Sequence, residues 1–130
     1  MSGAYLDASA LVKLVVTERE TAALRSFLRL HPQRFTNRVA LVEVTRAVRR
    51  RATSRKAPVD AAFEGVTVID LDPWVTDRAG AIEPVALRSL DAIHRASALI
   101  LAEELDAFIT YDARQADAAR ALGLTVAAPA

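Results

Sequence analysis

The chain has no cysteine, only two histidines (His31 and His94) and, among 17 basic residues, only two lysines, Lys13 and Lys56. Without a thiol there is neither a disulfide framework nor a cysteine-ligated zinc site, and two imidazoles are too few for a histidine-rich metal centre. Any bound metal must therefore be held mostly by oxygen. Long hydrophobic runs are missing as well: the apolar stretch at 11–16 is short and broken by Lys13, well under the roughly 20 residues that a membrane-spanning helix requires. No basic stretch precedes it, so it does not read as a secretion signal either. The expectation is a cytoplasmic protein with no membrane contact. Repeats, low-complexity tracts and linkers are also lacking, and 130 residues with 52% hydrophobic content suit one domain with its own core.

The net charge of +1 points to no class of partner, but the basic residues are 15 arginines against two lysines, and arginine favours forked contacts to phosphate or carboxylate. They are also unevenly spread. Residues 44–56 carry Arg46, Arg49, Arg50, Arg51, Arg55 and Lys56 with no acid among them. Two readings fit: a basic lip facing an RNA backbone or an acidic partner, or a solvated helix end whose positive charge complements the dipole.

Hydrophobic periodicity divides the chain into alternating strands and helices. Residues 4–6 predict a strand, followed by a helix carrying Leu11, Val12, Leu14 and Val15, then a second helix over 20–30 stopped by His31-Pro32. A brief strand at 34–36 leads to a helix capped by Thr36 or Asn37 and bearing Val39, Leu41, Val42, Val44 and Val48. Residues 66–71 predict a strand, and Asp72-Pro73 opens the next helix. Ser89 is the expected cap of a helix with a buried stripe of Leu90, Ile93, Ser97, Ile100 and Leu101, ending near Glu104. A strand at 107–110, a helix from Asp112 to Leu122 closed by Gly123, and a strand at 124–126 complete the series. Such alternation implies an α/β fold with a largely parallel sheet covered by helices on both faces.

Four acids stand in apolar surroundings, namely Asp7, Glu43, Asp91 and Asp112. An ionised carboxylate deprived of water needs a cation or hydrogen bonds in exchange. In a parallel sheet the carboxyl ends of the strands share one edge, which gathers Asp7 and Asp112 there, whereas topology alone leaves the places of Asp91 and Glu43 open. If all four meet, they raise one another's pKa unless a divalent cation neutralises them, and a hard ion such as Mg²⁺ or Mn²⁺ suits an all-oxygen set. Each acid also has a local explanation: Asp7 and Asp112 as helix caps, Asp91 against a helix dipole or paired with Arg95, and Glu43 paired with Arg46 or a neighbouring arginine.

Taken in order, the segments YLDASALVKL (5–14), LVEVTRAV (41–48), LDAIHRASA (90–98), ITYDAR (109–114) and AARALG (118–123) resemble the PIN-domain ribonucleases, specifically the VapC-type toxins of bacterial toxin–antitoxin pairs, over essentially the whole chain. The resemblance implies a single PIN domain over 1–130, with Asp7, Glu43, Asp91 and Asp112 as catalytic acids and metal ligands. Asp7, Asp91 and Asp112 would be the principal ligands of Mg²⁺ or Mn²⁺, and Glu43 would bind through water, hold a second ion or orient the attacking water. Ser9 and Thr110 match polar positions that support the cluster, and Arg114 is close enough to the acidic edge to touch a substrate phosphate, the alternative being an arginine on a solvated helix surface. The implied reaction is endonucleolytic hydrolysis of RNA, which needs no serine, cysteine or histidine nucleophile when a metal activates water. Implied partners are the RNA substrate, a cognate VapB-type antitoxin and a second copy of the chain in a homodimer.

Two rival enzymes lack their chemistry: a receiver domain needs a late lysine beside its phosphorylated aspartate, and a haloacid-dehalogenase phosphatase needs an aspartate at the position of Ser9. A PIN nuclease of RNA processing without an antitoxin, and a PIN-like binding module without turnover, remain as alternatives within the fold.

Overall fold

The computed structural model describes residues 3–51 and 59–130, so Arg55 and Lys56 of the basic stretch lie outside the described residues. The strands are β1 (Gly3–Leu6), β2 (Gln33–Asn37), β3 (Val66–Ile69), β4 (Leu105–Ile109) and β5 (Val126–Ala127). Between them run α1 (Ala8–Val15), α2 (Thr21–Arg29), α3 (Val39–Arg51), α4 (Val59–Ala62), α5 (Pro73–Ala81), α6 (Ser89–Ile100) and α7 (Ala113–Ala121). The strands form one sheet in the order β3-β2-β1-β4-β5, and every pairing is parallel.

Alternation along the central strands builds a core on each face of the sheet. Ala4, Leu6, Ala107 and Ile109 join Leu11, Leu24, Val44 and Val48 on the face covered by α1, α2 and α3. Tyr5 and Phe108, one position out of phase, turn to the other face and pack with Ala98 of α6 and Ala119 of α7. They are register partners across β1 and β4, with rings stacked 5.4 Å apart.

Local signals set several boundaries. Asp72 accepts a hydrogen bond from the Val75 amide and Pro73 fills the first helical position, so α5 starts as expected. Gly123, at φ +84, follows α7 in the left-handed conformation that glycine adopts without Cβ strain. Of the two candidate caps before α3, Asn37 is the one used: its Oδ1 accepts from the Val39 amide at 3.0 Å, while the Thr36 hydroxyl donates to the Leu6 carbonyl at 2.7 Å.

Helix α6 departs from expectation. Its cap position is Arg88, without a side-chain cap bond, and Ser89 is the first helical residue. Its α-helical part stops at Ile100, after which Ala102–Glu104 forms a tighter 3-10 turn. Leu90 and Ile100 are exposed, and the buried residues are Ala92 and the whole turn His94, Arg95, Ala96, Ser97 and Ala98. The alanines and Ser97 permit close approach, so the small residues rather than the large ones turn inward. The last strand begins at Val126 rather than Leu124, β3 ends at Ile69, and the short α4 had no counterpart in the periodicity.

Gly3 has a steric role at the start of β1: a Cβ there would overlap the carbonyl oxygen of Glu104, a backbone atom that cannot swing aside. Gly3→Ala is expected to lower unfolding stability by about 1–3 kcal/mol, the usual range for an overpacked site, as read by urea denaturation. An unchanged midpoint would show that this end of the sheet yields freely.

Candidate active site

Strands β2 and β3 lie to one side of β1 while β4 and β5 lie to the other, so the connections diverge at the β1/β4 boundary and open a crevice at its carboxyl edge. Asp7 leaves β1 at that point, its amide still bonded to the Ile109 carbonyl of β4 at 3.2 Å. It caps α1 by accepting from the Ala10 amide at 3.2 Å, and it takes a second bond from the Ser9 hydroxyl at 2.6 Å. At 4% exposure the carboxylate is almost wholly buried. Burial pushes its pKa above the ordinary aspartate range, against the opposing influence of His94, Ser9, Thr110 and the Ala10 amide.

Ser9 and Thr110 bind β1 to β4 through hydroxyls. Ser9 Oγ accepts from the Tyr111 amide at 2.9 Å and lies 3.3 Å from Thr110 Oγ1, which in turn accepts from the Asp112 amide at 3.1 Å. Asp112 then caps α7, its Oδ1 accepting from the amides of Arg114 at 2.9 Å and Gln115 at 3.4 Å. Asp91 stands in the first turn of α6. Partial burial raises its pKa, and the charges of Asp112 and Glu43 add to that rise while His94 and Arg88 counter it.

Glu43 reaches the same region from α3, but through a residue that the sequence pattern did not single out. Its Oε1 lies 2.6 Å from Nε2 of His94, whose Nδ1 is 2.7 Å from Tyr5 Oη. His94 is buried, and so are the neighbouring polar side chains Thr36, Asn37 and Ser97. Asn37 donates to Ser97 Oγ at 2.9 Å, and Ser97 donates to the Ile93 carbonyl at 2.8 Å. The phenol of Tyr5, buried beside Ser97 and Thr36, has its pKa raised by desolvation.

The two ion pairs offered as local explanations of Glu43 and Asp91 are not found among the described residues. Glu43 bonds His94 rather than an arginine, and the three guanidinium nitrogens of Arg95 are buried without a hydrogen-bond partner among the described residues. Instead Gln115 of α7 donates to the Asp91 carbonyl at 3.2 Å, tying α7 to α6. Arg114 is exposed on the first turn of α7.

Beside the acids runs a groove of about 340 Å³ whose lining includes Ser9, Lys13, Glu43, Arg50, Arg51 and Tyr111. Lys13 lies over the Tyr111 ring, 4.6 Å from its centre, and pairs with Glu18 and Glu20 at 3.5 and 3.3 Å. Arg51 also pairs with Glu18, at 2.9 Å. A larger hollow of about 530 Å³ between α5 and α6 has none of the four acids in its lining.

Residues 4–121 match the profile of the PIN domain family. The chain belongs to the PIN-domain family. It is 42% identical over 129 residues to ribonuclease VapC46 of Mycobacterium tuberculosis, the match covering 99% of each chain. To ribonuclease VapC47 of the same species it is 36% identical over 130 residues, covering 96% of each. Among solved structures, VapBC2 from Rickettsia felis, bound to a DNA fragment from its promoter, superposes with a TM-score of 0.71 at 13% identity, over 98% of this chain and 99% of that one. Mycobacterium tuberculosis VapC20, a sarcin-ricin loop cleaving toxin, gives 0.66 at 16% identity, over 97% and 99%. At such identities the two superpositions speak for the PIN fold alone.

In this PIN domain the acids are neighbours without forming a closed cage: among the described residues, no three His, Asp or Glu side chains stand close enough together to hold one ion. The donor chemistry nonetheless fits a hard cation. Asp7 is buried with only neutral hydrogen bonds on its carboxylate, and Asp91 feels Asp112 and Glu43 as like charges. His94 could have been found from its spacing, because it follows Asp91 by three residues and so shares its helix face.

The raised pKa of Asp91 has a sign that can be tested. The folded protein binds its proton more tightly than the unfolded chain, so stability falls as pH rises through the window between the ordinary aspartate value and the raised one, and the loss is complete above it. No hydrogen bond to the Asp91 carboxylate is found among the described residues that Asn would forfeit. Metal-free Asp91→Asn is therefore expected to melt at or above the parent at pH 7, with the difference shrinking toward pH 4. A mutant melting well below the parent at pH 7 would make Asp91 a structural cap.

Proposed function

We propose that this PIN domain is a Mg²⁺- or Mn²⁺-dependent endoribonuclease, the cytoplasmic toxin of a VapBC-type toxin–antitoxin pair. One observation carries the reading above the others: a chain 42% identical to a ribonuclease of the family has Asp7, Glu43, Asp91 and Asp112 around the crevice at the carboxyl edge of its sheet, with Asp91 feeling the charges of Asp112 and Glu43.

In this proposal Asp7, Asp91 and Asp112 hold the metal and Glu43 completes the set by orienting water or a second ion. Ser9 and Thr110 keep Asp7 and the start of α7 in register. A divalent ion bound there would supply positive charge to the scissile phosphate and make a bound water acidic enough to attack at neutral pH. Arg50 and Arg51, on the groove that also contains Glu43, draw the RNA backbone along the acidic edge and offset the repulsion that four carboxylates exert on phosphate. A VapB-type antitoxin would restrain the enzyme by occupying this groove. Exposed Trp74 and Val85 offer apolar surface for the homodimer that the family resemblance implies.

Cleavage of RNA by the purified chain is expected to require Mg²⁺ or Mn²⁺ and to stop in excess chelator. Expression without antitoxin should arrest growth, and Asp7→Asn or Asp112→Asn should relieve the arrest. Undiminished cleavage in chelator, or soluble mutants as toxic as the parent, would contradict the mechanism.

The arginines of the groove make a separate prediction. Removing one arginine that neutralises a phosphate should flatten the logarithmic salt dependence of single-stranded RNA binding by about 0.7. Arg50→Gln and Arg51→Gln should each do so, and Arg49→Gln, whose side chain is exposed but not on the groove lining, should do so less. Equal slopes for all variants and parent would assign the arginines to a solvated helix end.

A further inference from the structure

The imidazole of His94 is 1% exposed, yet both of its nitrogens are paired with side chains, one of them an acid of the proposed site. We propose that His94 is a positioning residue, which the phenol of Tyr5 fixes in one tautomer and which in turn fixes the carboxylate of Glu43, so that the relay sets the affinity of the acidic edge for a divalent cation. The inference rests on the reading of Glu43 as part of that edge.

A glutamate on a helix face has three side-chain torsions, and leaving them free costs affinity when a ligand must order them. Glu43 is only partly buried, and its Oε1 is held by one short bond of 2.6 Å to Nε2. What holds the imidazole is rigid at every step. Its ring packs edge-on against Tyr5 at 5.7 Å, and Tyr5 is stacked flat on Phe108. Tyr5 belongs to the central strand β1, and Phe108 is its register partner on β4.

The proton order follows from donor chemistry. The ionised carboxylate of Glu43 can only accept, so a ring proton lies on Nε2 and is donated to it; in the neutral ring proposed here Nδ1 then accepts from the phenol of Tyr5. The relay therefore crosses from the α6 face of the sheet to the α3 face over its carboxyl edge, and it reaches Glu43 with neither ring nitrogen unmatched. Groups that hold a metal-binding carboxylate in this way typically change metal affinity or activity by about 10–100-fold when removed.

The test is calorimetric titration of Mn²⁺ into the metal-free full chain. His94→Leu is expected to weaken Mn²⁺ binding by about 10-fold or more, and His94→Gln, whose amide N–H can stand in for Nε2–H, should recover most of the loss. Tyr5→Phe, which keeps the ring stack and removes only the phenol, should weaken binding by a smaller factor. In a Glu43→Gln background, His94→Leu should cost no further affinity, because the relay then has nothing to hold.

In the metal-free parent, nitrogen-15 shifts of the His94 ring should show Nδ1 as acceptor and Nε2 as protonated. This reading and that for Tyr5→Phe stand even where His94→Leu fails to fold. Parental Mn²⁺ affinity in a folded His94→Leu, an additive loss in the Glu43→Gln background, or a ring protonated on Nδ1 alone would each overturn the proposal. Asp7→Asn separates it from the site reading: parental Mn²⁺ affinity in that variant would defeat the acidic centre itself, whereas loss there with none in His94→Leu would defeat only the relay.

Discussion

Connections that leave β1 and β4 in opposite directions along an all-parallel sheet must leave a crevice between them, and this chain fills the rim of that crevice with carboxylates. Asp7 follows β1, Asp112 opens the helix after β4, Asp91 sits in the first turn of α6, and Glu43 reaches over from α3. Like charges brought together with little water are a cost to the fold. Burial raises the pKa of Asp7, and burial together with the charges of Asp112 and Glu43 raises that of Asp91. Most of the polar structure nearby can be understood as holding the carboxylates in place against that cost.

Two kinds of support do this. At the strand ends the Ser9 and Thr110 hydroxyls link the two sides of the crevice and bond the backbone of Tyr111 and Asp112, so that a single-residue slip between β1 and β4 would break both. Beneath them Tyr5, Thr36, Asn37, His94 and Ser97 form a buried polar layer that is hydrogen-bonded throughout. Satisfied networks of this type impose a unique arrangement because each member left unpaired would be expensive. Two buried groups nearby have no hydrogen-bond partner among the described residues, the guanidinium of Arg95 and the side-chain carbonyl of Gln115; desolvation lowers the pKa of Arg95 while Asp91 opposes the shift. Outside this layer, Lys13, Arg50 and Arg51 line the groove together with Glu18 and Glu43, and Lys13 and Arg51 are paired with Glu18.

The alternation of strands and helices was legible in the sequence because both faces of the sheet are apolar and the boundaries carry strong local chemistry, as at Asp72-Pro73 and Gly123. The acids were legible because charge inside apolar runs is conspicuous, and the ordered segments around them point to the family. Helix α6 was misread for a physical reason. Periodicity assigns large apolar side chains to the buried face, but α6 approaches the sheet through alanine and serine and leaves Leu90 and Ile100 outside. The same inversion hid His94, whose value lies in bonds to Tyr5 and Glu43, distant in sequence. Which of Thr36 and Asn37 caps α3 could not be read from sequence, since both are good caps and only the carbonyl of Leu6, brought near by the β1–β2 pairing, decides between them.

The central claim is that a divalent ion is held by the carboxylates at the β1/β4 edge, and anomalous diffraction from crystals grown with Mn²⁺ tests it directly. The account predicts a peak between Asp7, Asp91 and Asp112 that disappears in Asp7→Asn. Well-ordered crystals with no peak at those carboxylates, or with the ion elsewhere on the chain, would contradict it.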